Sequence, residues 1–92
     1  MIDIYDLIEA LGASLNKNFI LHRSMKKHPK FKIYKIFEYS LYQLNKDKTK
    51  ELLYIHSFNI NAPSEEIDNT WKDCDKKYIS ILFNWVYNEF RV

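Results

Sequence analysis

Four side chains of this 92-residue chain carry the chemistry to bind a metal or attack a substrate: His22, His28, His56 and Cys74. Zinc sites draw such ligands from closely spaced pairs, commonly one helical turn apart. No two of the four stand at i, i+3 or i+4, so no metal site is expected. Cys74 sits between Asp73 and Asp75, whose charges raise a thiol pKa and suppress the thiolate. It also falls in phase with an apolar stripe and reads as core. His56 alternates in phase with Leu52, Tyr54, Phe58 and Ile60, which suits a strand histidine held by a neighbour better than a general base. Asp73 and Asp75 point to different faces of a helix, as do Glu65 and Glu66, so neither is a paired-carboxylate site. Ser40 and Ser57 lack any nucleophile context. The expectation is a protein that is not an enzyme and needs no cofactor.

The chemistry that remains is charge beside aromatic rings. The stretch "HRSMKKHPKFKIYK", residues 22–35, holds six of the fourteen Lys and Arg residues. Residues 1–16 carry three acids and no base, a net −3; residues 17–50 carry ten bases against Glu38 and Asp47, a net +8; residues 51–92 carry four bases against seven acids, a net −3. The overall +2 therefore conceals a basic middle between two acidic ends. On a strand over 31–44, Phe31, Ile33, Phe37, Tyr39 and Leu41 share one face, with Lys35 as its exception. That face is expected to be core. The opposite face would show Tyr34 and Tyr42, rimmed by Arg23, Lys26, Lys27, Lys30 and Lys32. These seven residues are the candidate partner-binding set. Exposed rings beside lysines suit an acidic protein surface, where Tyr is enriched, and suit single-stranded nucleic acid, where bases stack. With Arg23 and Arg91 as the only arginines, sequence-specific base reading, which leans on bidentate Arg, is disfavoured. A solvated hairpin whose lysines only deter edge aggregation is the bland alternative.

These side chains must be positioned by a small domain. An apolar fraction of 47% with 16% aromatics supports a globular core over disorder, and 92 residues suffice for one domain, 1–92. A single cysteine forbids an internal disulfide, which favours a reducing, cytoplasmic setting. The acid-bearing start "MIDIYDLIEALGASL" does not read as a signal peptide. The longest apolar run, "YISILFNWVY", is too short to span a bilayer, so no membrane partner is expected. One glycine in the whole chain rules out Gly-rich phosphate loops and leaves the turns to Asn, Asp and Pro.

Periodicity predicts five elements. Asp3 as N-cap followed by Ile4, Leu7, Ile8, Leu11 and Leu15 predicts a helix over about 4–16, ended by the asparagines at 16 and 18. Strands are predicted over about 19–25, 31–44 and 51–60, with turns at "KKHPK" and "NKDKTK"; a helix over 31–44 is the alternative there. Pro63, Ser64 and the acids Glu65, Glu66 and Asp68 mark the start of a last helix, about 64–90. Ile67, Trp71, Cys74, Tyr78, Ile81 and Trp85 recur along it at helical spacing. Past Tyr78 every face turns apolar, so a second covering surface is expected; a strand over 78–87 is the alternative. The fold class is α+β, α-β-β-β-α, a three-stranded antiparallel sheet with helices packed on one face.

That order resembles double-stranded-RNA-binding domains. The likeness is one of topology: where that family places a lysine cluster at the start of its second helix, this chain reads "SEEIDNTW". No residue role follows from it. The expected function is a small binding protein of the accessory inhibitor or modulator kind carried by phages and mobile elements. It would dock on the acidic surface of a protein or protein–nucleic acid complex. A nucleic-acid-binding module and a structural homodimer are the alternatives.

Overall fold

The computed structural model describes residues 3–90. Asp3 accepts a hydrogen bond from the Tyr5 backbone N–H at 2.8 Å and caps helix α1, Ile4–Ser14. Such a cap satisfies one of the four N–H groups a helix start leaves without partners. The helix ends as Asn16 turns left-handed at φ 59°. Three strands follow, β1 Phe19–Lys27, β2 Tyr34–Leu44 and β3 Lys50–Asn61, forming one antiparallel sheet with β2 in the centre. A 3-10 turn at Ser64–Glu66 leads into helix α2, Ile67–Phe90. The order is α-β-β-β-α, and the segment 78–87 is helical.

Register follows from the hairpin hydrogen bonds. Leu44 N–H donates to Asn18 O at 2.9 Å, and His28 N–H donates to Tyr34 O at 3.0 Å. Both ends of the β1–β2 pair thus share one register, which sets Leu21 opposite Leu41 and Arg23 opposite Tyr39. Odd-numbered residues of both strands lie on one face and even-numbered residues on the other.

The chain packs as two compact units. The first comprises the chain up to Met25 together with Glu38–Ser57. Its core is Ile4 and Ile8 of α1 with Phe19, Leu21, Tyr39 and Leu41 of the sheet, all buried. Gly12 is where α1 meets the chain leading into β1: a Cβ there would lie 3.0 Å from both Lys17 O and Phe19 N. The one glycine therefore serves close approach, not a left-handed turn.

The second unit comprises Lys26–Phe37 and the chain from Phe58 onward. Cys74, Tyr78, Leu82 and Val86 form the buried stripe of α2, with Ala62 and Phe37 buried beside them in the same unit. The Phe37 ring meets Trp71 edge-on, centroids 4.8 Å apart. The stripe is therefore centred one position away from the expected one: Leu82 and Val86 are buried, while Ile81 and Trp85 are half-buried. Phe83 and Tyr87 are exposed at 43% and 63%, so the outward apolar surface of α2 comes down to these two rings and a few half-buried neighbours.

Two sequence expectations need correction. The second strand begins at Tyr34 rather than residue 31, and Phe31 and Ile33, expected in the core, are 59% and 62% exposed. The physical reason is the turn described below, which captures both residues before pairing starts. β3 was expected to alternate in one phase from Leu52 to Ile60. Tyr54, His56, Phe58 and Ile60 are half-buried while Ile55, Ser57 and Asn59 are exposed, so the phase holds from Tyr54 onward; Leu52, near the start of the strand, is exposed and stands outside it. Lys35, the exception on the apolar face, directs its ammonium to the Ala62 carbonyl, which receives its hydrogen bond.

Candidate partner-binding surface

The basic stretch folds into an ordered turn that exposes Phe31 and Ile33 beside Lys30 and Lys32. Pro29 cannot donate to a strand ladder, so pairing stops near it. His28 then organises the loop. Its Nδ1 accepts from Lys30 N–H at 3.0 Å and from Phe31 N–H at 3.1 Å. Tyr34 N–H donates to Phe31 O at 3.0 Å, and His28 N–H to Tyr34 O closes the loop. The rings follow the backbone: His28 and Phe31 centroids are 5.2 Å apart, and Phe31 meets Tyr34 edge-on at 6.4 Å. Offset and edge-on contacts of this kind stabilise aromatic clusters beyond their buried area.

Around this cluster Lys26, Lys27, Lys30 and Lys32 are all exposed. From Ala10 to Phe37 no acidic residue occurs, while Lys17, Arg23, Lys26, Lys27, Lys30, Lys32 and Lys35 do. The tip therefore presents exposed Phe31, Ile33 and Tyr34 on a segment that also carries exposed lysines and no acid.

The seven candidate residues divide among three places. Lys30 and Lys32 lie in the turn itself, with Lys26 and Lys27 at the end of β1 and Tyr34 at the start of β2. Lys26 shares the even-numbered face with Tyr34, and Lys27 falls on the odd-numbered one. Tyr42 is eight residues further along β2 than Tyr34, belongs to the first unit, and is half-buried. Arg23 is engaged elsewhere. Its Nε donates to the Tyr5 hydroxyl at 2.9 Å, and its guanidinium lies 4.9 Å from the Tyr5 ring centroid, a cation–π contact with α1. Five of the seven thus gather at or beside the tip.

Sequence reasoning passed over His28, Phe31 and Ile33 as members of this surface. The signal was present in "HPKF": a proline, and before it a side chain able to accept backbone N–H groups two and three residues on. Apolar alternation outweighed that signal.

The other chemistry-bearing groups do not converge. Among the described residues no group of three or more His, Cys, Asp and Glu side chains is placed to hold a metal ion. Burial pushes the Cys74 thiol up to about 11, with Asp75 and Asp73 adding to the rise and Lys77 opposing it. An open groove of about 560 Å³ in the first unit is lined by Asn16, Lys17, Asn18, Gln43, Asn45 and Lys46, among others. Two of its amides serve the neighbouring turn: Gln43 Nε2 donates to Asn45 Oδ1 at 3.1 Å, and Asn45 Nδ2 to Thr49 Oγ1 at 3.2 Å. No family model, no curated protein and no solved structure matches this chain.

Proposed function

We propose that this chain is a small non-enzymatic binding protein, an inhibitor or modulator that docks by the β1–β2 tip on the acidic surface of a larger protein. The reading is carried by one observation: a hydrogen-bonded turn leaves Phe31 and Ile33 exposed to solvent in a segment that carries four exposed lysines. Large apolar side chains held in water cost free energy unless a partner covers them, and contiguous ones mark interaction sites. A pre-ordered tip loses little conformational entropy on docking. The lysines supply long-range attraction to an acidic target, and the apolar pair supplies the desolvated centre that fixes the complex.

Nucleic acid explains this surface less well. Ile33 has no π face on which a base can stack, and it is the most exposed apolar residue of the tip.

The test is capture from the native cell with the unmodified chain and with Phe31→Ala/Ile33→Ala as bait. Both side chains are more than half exposed, so folding should change by tenths of a kcal/mol. The expected result is a protein retained by the first bait, lost with the second and unaffected by nuclease. Equal capture by both baits, or capture abolished by nuclease, contradicts the proposal.

A further inference from the structure

The sheet has two outer strands, and they are guarded differently. β1 carries Arg23, Lys26 and Lys27 within nine residues. β3 carries Lys50 and Glu51 at its start, then ten uncharged residues from Leu52 to Asn61 without a proline. Proteins that stay apart in solution protect long edges with charge, proline or a cover. β1 follows that rule along its second half, and β3 beyond its first two residues carries neither charge nor proline.

Burial points the same way. The covered row of the central strand, Phe37, Tyr39 and Leu41, is fully buried. The inner row of β3, His56, Phe58 and Ile60, is only half-buried, and Ile55 is 48% exposed. Among the described residues β3 has a strand neighbour on one side only.

We infer that β3 pairs with β3 of a second copy, antiparallel about a two-fold axis, joining two three-stranded sheets into one of six strands. The charge pattern selects this occupant. Antiparallel self-pairing within the Leu52–Asn61 run sets neutral residues against neutral residues, so no charge is buried and no like charges face each other. The same pairing at β1 would bring Arg23, Lys26 and Lys27 against their copies. A charged foreign strand would find nothing on β3 to recognise. The dimer carries two basic tips, so a partner with two acidic sites would be held with raised effective concentration. That consequence rests on the proposed function; the dimer itself does not.

Sedimentation equilibrium of the full chain at micromolar concentration tests the inference. The expected mass is twice 11.2 kDa. Ile55→Lys and Asn59→Lys, both at exposed positions, should each shift the balance toward monomer by tenfold or more, with circular dichroism confirming the fold of whichever is read. Tyr87→Lys, on the outward side of α2, should leave the dimer intact. A monomer at all concentrations overturns the inference. So does a dimer dissociated by Tyr87→Lys but not by the β3 variants, or a monomer that adds an extended foreign peptide at β3.

Discussion

Asp47 and Thr49 hold the β2–β3 turn with one carboxylate. Asp47 Oδ1 accepts from Thr49 N–H at 3.0 Å and from Thr49 Oγ1 at 2.6 Å. These two bonds hold the carboxyl below its ordinary value of 3.8, the side-chain bond contributing most. They leave Lys48 in the left-handed region at φ 69°, a conformation most residues avoid. With one glycine in the chain, already placed at Gly12, an Asx-type turn replaces the glycine that a hairpin would ordinarily use. A depressed folded pKa gives stability that is present above the unfolded value and lost as pH falls through the folded one. Carboxyl-carbon NMR should therefore show Asp47 titrating below 3.8, with the Thr49 amide shifting alongside it. Asp47→Asn should remove that pH-dependent part. An Asp47 that titrates at or above 3.8 contradicts this description of the turn.

At the scale of elements, close packing at Gly12 makes a counter-intuitive expectation. Alanine is the better helix former by about 1 kcal/mol, yet a Cβ at residue 12 would press on backbone atoms of Lys17 and Phe19 at 3.0 Å. Backbone moves less readily than a side-chain tip, so overpacking should outweigh propensity and Gly12→Ala should destabilise by about 1–3 kcal/mol. Urea unfolding checks this; an unchanged or raised midpoint would mean that α1 shifts freely. The helices were legible in the sequence because their signals agreed: cap, period and terminator for α1, and proline, acids and a long apolar period for α2. Along α2 the buried residues step by four from Cys74 to Val86, while the sequence pattern alternates steps of four and three. The stripe drifts around the helix, and pattern alone could not choose between Ile81 and Leu82. β2 was legible only from Tyr34 onward. Phe31 and Ile33 alternate like core residues, and what removes them from the strand is a side-chain-to-backbone contact by His28 that periodicity does not encode. In β3 the alternation was legible from Tyr54 to Ile60, and only the exposed Leu52 departs from it.

For the molecule as a whole, charge and topology were legible and the surface they build was not. The net +8 of residues 17–50 is a property of sequence; that five of seven candidates gather at one tip, while Arg23 turns to Tyr5 and Tyr42 lies far along the strand, is a property of register. The most direct measurement is the association rate of the unmodified chain and of Lys26→Glu/Lys30→Glu/Lys32→Glu with the captured partner, as a function of salt. All three lysines are exposed, so the variant should fold as the original does. If the tip docks by steering, the variant associates at least about tenfold more slowly at low salt, and the difference shrinks as salt screens the field. Equal rates for the two proteins at low salt would contradict the account and make the tip an ordinary solvated turn.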